Sequence, residues 1–201
     1  ERIYYTVPDN KEPIIAIAKD KEATGSQVTV YYKHKPMTKE LKATIAGIAG
    51  IYLKSVTSMM LNDRLKEISE KPNAPFMSAY SYDANFIVSK TMDAFTTMAV
   101  SKEGETQKAL KALLQETERV NRFGFTESEY ERAKANLLSM IESMYKEREK
   151  QKNNSYVEEY VSHFTDGGSI CGIETDYMLL NKVAASTGIE QVNKYIQDLI
   201  G

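Results

Sequence analysis

The chain has 201 residues and a formal net charge of −2, from 26 Lys and Arg residues against 28 Asp and Glu residues. Hydrophobic residues make up 42% of the chain, which excludes a disordered protein because this apolar content is enough to form a core. The balanced charge argues against nucleic acid as a partner, and no apolar run is long enough to span a membrane.

The first half of the chain predicts strands joined by turns. Residues 13–20 are expected to form a short strand, followed by a turn at 22–26. Residues 27–35 alternate apolar or aromatic side chains with polar ones, which favours a strand in a sheet with one covered face. Residues 76–89 and 91–101 return to strand character and predict two further strands.

Helical periodicity begins after the first of these sheet strands. Apolar residues spaced near 3.6 predict a long helix over about 39–70, bent or broken near Asn62 and Asp63 and stopped by Pro72. A further helix is expected to end at Gly124, because glycine adopts the backbone conformation that terminates helices.

The clearest helix start is a capping box formed by Thr126 and Glu129. The helix it opens is expected to run, or to break and resume, to about Thr165, and two shorter helices are expected at 174–186 and 189–199. Strands paired by hairpins, with helices gathered later, indicate an α+β fold. We expect a mostly antiparallel sheet with helices packed on one face.

Chemical candidates are few. Glu159 and His163 lie four residues apart on a predicted helix, a spacing that one metal ion can bridge, although a solvated acid–base pair explains it more simply. Cys171, the single cysteine, pairs with His163 as a candidate thiol and base, but nothing in the sequence arranges them, which favours an incidental loop thiol. A lone cysteine also excludes an intramolecular disulfide.

Two surface patterns also have a structural and a functional interpretation. The charge run at 146–152 is typical of a solvated helix face and is the weaker candidate for a partner surface. Four tyrosines on predicted strands are candidates to line a peptide groove, although cross-strand packing is the commoner use of such residues. They are Tyr31, Tyr32, Tyr80 and Tyr82.

Several segments, in order and spacing, resemble the M16 (pitrilysin/insulinase) family of zinc metallopeptidases. GFTESEYERAK resembles a helix-start motif of that family, NDRLKE the end of its long helix, APF the start of its next strand, and DKE the opening of a domain that follows a catalytic one. With two shorter matches, the segments are 20–22, 62–67, 74–76, 124–134, 158–160 and 188–193.

The resemblance implies one M16-type, LuxS-like domain over residues 1–201, with a leading segment of about 1–12. M16 domains usually end in a further strand, so an open sheet edge is expected where this chain ends in a helix. The catalytic domain of the family carries an H-x-x-E-H zinc motif that this chain lacks. No catalytic or metal-binding residue is therefore expected here, and zinc is expected in the catalytic domain.

The function implied is that of a non-catalytic domain of an M16 zinc metalloendopeptidase, inactive alone and forming part of a peptide-degrading chamber. Its expected partners are the catalytic M16 domain, in the same chain or a separate subunit, and the peptide substrate. Arg64, Phe76 and Tyr80 are candidate substrate or interdomain contacts, and a structural role is favoured for Arg64. Ser69 and Phe76 stand near the positions of the family's substrate-holding Arg and Tyr, which puts a substrate-holding role in doubt. The alternatives are an inactive M16-like assembly module, as in respiratory complexes, and a self-sufficient thiol enzyme.

Overall fold

The computed structural model describes residues 3–201, and its elements confirm the predicted α+β class. The strands are β1 (Ser26–His34), β2 (Ser78–Asn85) and β3 (Asp93–Ser101). The helices are α1 (Lys39–Lys42), α2 (Ile45–Ser69), α3 (Thr106–Phe123), α4 (Glu127–Lys146), α5 (Asn153–Asp166), α6 (Ile173–Ser186) and α7 (Ile189–Ile200). A 3₁₀ turn, Arg148–Lys150, lies between α4 and α5. None of the helices described here is both long and apolar enough to cross a bilayer.

The chain divides into two compact units, and the single domain expected from the sequence stays a prediction. The first unit comprises the described residues up to Pro36, Leu61–Gly124 and Ile196–Gly201. It contains all three strands. The second unit comprises Met37–Met60 and Phe125–Tyr195, and it is helical.

The sheet of the first unit is antiparallel and has the order β1-β3-β2, so β3 is the central strand. Phe95 on β3 is buried, and Tyr32 on β1 lies directly opposite it on the same side of the sheet. Helix α3 packs against β1 and β3. Helical packing on this side agrees with the expected arrangement.

The long helix of the sequence prediction breaks earlier than expected, between α1 and α2. The hydroxyl of Thr44 accepts a hydrogen bond from the N–H of Gly47 at 3.2 Å and so starts α2. A side chain at Gly47 would begin 2.4 Å from the Leu41 carbonyl oxygen, so the turn requires glycine. The break expected near Asn62 was wrong, because Asn62 directs its amide to the backbone of Ser81 and leaves the helix intact.

The strand expected at 13–20 was also wrong, since these residues form no strand. Ile14, Ile15 and Ile17 are almost fully exposed. Their β-branched side chains favour an extended chain, but a strand also needs a neighbouring edge to pair its N–H and C=O groups. In the part of the chain that the structure describes, the sheet contains only β1, β2 and β3.

The helix signals in the second half are confirmed. Gly124 ends α3 with a φ of 66°, and the next residues form the predicted capping box. The Thr126 N–H donates to the Glu129 carboxylate at 2.7 Å, and the Glu129 N–H donates back to the Thr126 hydroxyl at 3.4 Å. The helix predicted to reach about residue 165 breaks and resumes as α5. This helix ends before Gly167, which has the left-handed backbone conformation.

The second unit is organised around a buried tyrosine pair. The Tyr130 hydroxyl donates to the carbonyl oxygen of Thr187 at 2.8 Å, so the Tyr52 hydroxyl, 2.9 Å away, is the donor to Tyr130. Burial, followed by the hydrogen bond to Tyr130, raises the pKa of Tyr52 well above its usual range. These bonds give both buried tyrosine hydroxyls a hydrogen-bond partner, and they fix α2 against α4 within this unit.

Candidate functional site

One side of the three-stranded sheet carries aromatic side chains that are open to solvent. Tyr31 on β1 and Tyr82 on β2 both lie opposite Thr96 of β3, so the three side chains share one side of the sheet. Tyr80 shares this side because it lies two residues from Tyr82. We call this surface the aromatic face, and its members are Tyr31, Tyr80, Tyr82, Phe86 and Met98.

The rings of the aromatic face are arranged by contacts with one another. Tyr80 and Tyr82 stack with ring centres 6.0 Å apart, and Tyr31 meets Phe86 edge-on at 5.3 Å. The Tyr80 hydroxyl donates to the Met98 sulfur at 3.8 Å. The three tyrosines remain 42%, 43% and 38% exposed, in chain order. Ring faces and hydroxyl groups held in this way are suited to contact both the apolar and the polar parts of a peptide.

Tyr32, the fourth tyrosine predicted for a groove, lies on the opposite side of the sheet. Its ring centre is 6.3 Å from that of Phe95. Burial raises the pKa of Tyr32, and the hydrogen bond to Thr117 opposes this only in part. Tyr32 is therefore a packing residue, and the aromatic face contains the other three tyrosines.

Arg64 and Phe76, two of the predicted contact residues, are buried in the first unit. Arg64 is 7% exposed, and its guanidinium donates to the Glu116 carboxylate at 3.2 Å and to the Gly124 carbonyl oxygen at 3.1 Å. Glu116 also accepts hydrogen bonds from the Nε and Nη2 groups of Arg119. Phe76 is 0% exposed. A contact of either residue with a substrate or another domain stays a prediction, whereas Tyr80 is accessible on the aromatic face.

A buried histidine–aspartate pair joins the two outer strands on the helix-covered side of the sheet. The Nε2 atom of His34 lies 3.0 Å from Oδ1 of Asp83, whose side chain is 3% exposed. Burial lowers the pKa of His34, but the hydrogen bond and the negative charge of Asp83 act in the opposite direction and raise it overall. The pair is therefore an ionic link within the sheet when His34 is protonated.

This pair predicts a pH dependence of stability. His34 holds its proton more tightly when folded, so the stabilisation is complete below the ordinary histidine pKa of about 6.5. It is lost as the pH rises through the raised pKa of the folded state. Urea unfolding between about pH 6 and pH 8.5 should show the free energy of unfolding falling, and Asp83→Asn should flatten this fall. An identical slope in the variant would contradict the assignment.

The other chemical candidates have separate local partners. Nδ1 of His163 lies 2.5 Å from the carbonyl oxygen of Gly168, and the exposed Cys171 sulfur lies 2.8 Å from the Ser169 hydroxyl. Within residues 3–201, no group of three His, Cys, Asp or Glu side chains is placed to hold a metal ion. The donor set available here therefore does not fit a zinc site of the usual three protein ligands.

Sequence reasoning missed two members of the aromatic face and the partner of His34. Side chains alternate along β3, so Met98 lies on the same side of the sheet as Thr96 and could have been predicted from the sequence. Phe86 follows the end of β2, where alternation no longer applies. Asp83 pairs with His34 across an intervening strand, which requires the strand order β1-β3-β2.

Residues 1–137 match the family model described as "Peptidase M16 inactive domain". The chain is 27% identical over 195 residues to "Zinc protease PQQL-like" of Arabidopsis thaliana, covering 97% of this chain and 17% of that protein. It therefore spans about a sixth of the length of that relative.

Two solved structures share the fold. The periplasmic protease PqqL from Escherichia coli superposes with a TM-score of 0.76 at 15% identity, covering 90% of this chain and 19% of PqqL. The inactive peptidase domain of a putative zinc protease from Bordetella parapertussis superposes with a TM-score of 0.59 at 15% identity, covering 89% of each chain. Since the family model covers more than half of its residues, the chain belongs to the peptidase M16 family and matches its inactive domain.

Proposed function

We propose that this chain is a non-catalytic domain of an M16 zinc metalloendopeptidase, where it forms part of a peptide-degrading chamber and contacts the catalytic domain. The observation that carries the proposal is the match of residues 1–137 to the inactive M16 domain. The similarity of nearly the whole chain to a zinc protease-like protein about six times as long supports it. In this proposal the zinc ion and the water it activates belong to the catalytic domain.

The aromatic face is the surface we assign to the chamber wall. Tyr31, Tyr80 and Tyr82 present partly exposed rings from a rigid sheet, so their positions are fixed before a peptide arrives. Aromatic rings bury large areas at little cost in side-chain entropy, and their hydroxyls pair with backbone groups of a peptide. The face therefore supplies binding without specifying one side chain, as a degrading enzyme requires.

The test is peptide hydrolysis by the natural protein that contains this sequence, with its catalytic domain present. Tyr80→Ala together with Tyr82→Ala should raise KM about tenfold with kcat unchanged, because uniform peptide binding is lost. Tyr4→Ala is the matched control, since Tyr4 is an exposed tyrosine outside the aromatic face. It should leave both constants unchanged.

Three results would overturn the proposed function, and a fourth would overturn only the assignment of the aromatic face. Stoichiometric zinc bound by the 201-residue chain, or hydrolysis of peptides by this chain alone, would place the chemistry here. Absence of zinc-dependent hydrolysis in the natural protein would leave the assembly module as the explanation. An unchanged KM in the double tyrosine variant would remove the aromatic face from the chamber wall.

A further inference from the structure

Helix α5 carries an apolar stripe that nothing covers in the described chain. None of its residues is buried, although helices of this kind normally bury one side. The stripe consists of five large apolar residues that are 39% to 87% exposed. They are Tyr156, Val157, Tyr160, Val161 and Phe164, which we call the α5 stripe.

The spacing of these residues places them on one side of the helix. At about 100° per residue, the stripe covers about 140° of the helix circumference. Glu158 borders it on the side of Val161, and Glu159 borders it on the side of Tyr156. The stripe is thus a continuous apolar band with an acidic residue along each margin.

The helix is attached to the second unit mainly by its C-terminal end. The Lys42 ammonium donates to the carbonyl oxygen of Asp166 at 3.0 Å, and Gly167 packs against the side chain of Lys39. A helix of 14 residues is marginal in water unless packing stabilises it. The α5 stripe therefore has the properties of a surface that is covered in the assembled protein.

The charges around the stripe indicate the chemistry of the covering surface. Helix α5 contains Glu158, Glu159 and Asp166 but no Lys or Arg. Burial, and then the charge of Glu159, raise the pKa of Asp176 in the first turn of α6, so two acids are close together here. Basic residues on a partner would relieve this repulsion.

We propose that the α5 stripe is the contact through which this domain binds the catalytic domain, in an apolar groove rimmed by Lys or Arg side chains. The identity of the partner rests on the proposed function above. The chain is 17% of the Arabidopsis relative and covers 19% of PqqL, so more than four fifths of such proteins lies outside it. An apolar band on a helix that lies in a groove is a common mode of protein recognition.

The test is amide hydrogen exchange of α5 in two samples, the natural protein with its catalytic domain and the 201-residue chain alone. We expect α5 amides to exchange at least about tenfold more slowly in the natural protein. Val161→Asp should remove this protection, whereas Ser155→Asp, on the opposite side of the same helix, should keep it. Both positions are exposed in the chain, so both variants should retain its melting temperature.

Charge reversal at the margins of the α5 stripe tests the proposed Lys or Arg side chains of the partner. Glu158→Lys with Glu159→Lys should reduce the protection of α5. Glu103→Lys with Glu149→Lys, at two exposed sites outside α5, makes the same change in net charge and should keep the protection. Equal exchange in both samples would overturn the inference. So would protection that appears only after peptide is added or only at high protein concentration, because the occupant would then be a substrate or a second copy. Zinc-dependent hydrolysis that persists in any of these cases leaves the proposed function standing.

Discussion

Replacing Glu116 with alanine should lower the free energy of unfolding by about 3–5 kcal/mol, because it removes a buried carboxylate that lies 3.2 Å from the buried Arg64 guanidinium. The hydrogen bond from Arg64 to the Gly124 carbonyl oxygen does not depend on Glu116, but a neutral acceptor does not replace the negative charge that is lost. A loss of this size is a large part of the stability of a typical domain, about 5–15 kcal/mol. Urea unfolding measured by circular dichroism provides the value.

Two further variants make this prediction specific. Glu118→Ala removes a carboxylate from the same helix that pairs with Arg122 on the surface, and it should leave the urea midpoint nearly unchanged. Combining Arg64→Met with Glu116→Leu replaces the buried pair by apolar groups of similar volume and should recover most of the loss. A Glu116→Ala variant as stable as the parent would show that the buried pair is not needed.

Phe76→Ala should lower the free energy of unfolding by about 3–5 kcal/mol, because the side chain is fully buried and its removal leaves a cavity in the first unit. Phe76→Leu keeps most of the side-chain volume and should lower the free energy of unfolding by less than about 1.5 kcal/mol. Thermal and urea unfolding of both variants measure these losses.

The same pair of variants distinguishes a packing role for Phe76 from a contact role. If Phe76 only packs, the Phe76→Leu variant of the natural protein should hydrolyse peptides with unchanged KM and kcat. A raised KM at unchanged stability would instead indicate that Phe76 contacts the substrate or positions a residue that does.

Much of the fold could be predicted from local signals in the sequence. The β1 alternation, the capping box at Thr126 and Glu129, and Gly124 after α3 each predicted an element that the structure contains. These signals depend on interactions between residues a few positions apart, so a single sequence is enough to identify them. The aromatic face followed in part, because alternation along β1 and β2 places Tyr31 and Tyr82 once the register is known.

The remaining features depend on contacts between distant residues. The break before α2 involves the close approach of Gly47 to Leu41, and α2 continues without a break at Asn62, whose amide has a partner on β2. Periodicity alone treats a polar residue in a helix as a weak point. The sequence favoured a structural role for Arg64 but could not identify Glu116 as a partner, because Glu116 is 52 residues away in sequence.

The uncovered isoleucines at 14, 15 and 17 have a consequence for any work with the chain in isolation. A short, uncharged, β-branched stretch with an unsatisfied backbone is a template for cross-β stacking between molecules, and such stacks grow into fibrils. Pro13 on one side and the charged residues at 19–22 on the other act as gatekeepers that slow this process. We therefore expect the solubility of the isolated chain to depend on this stretch and its flanks.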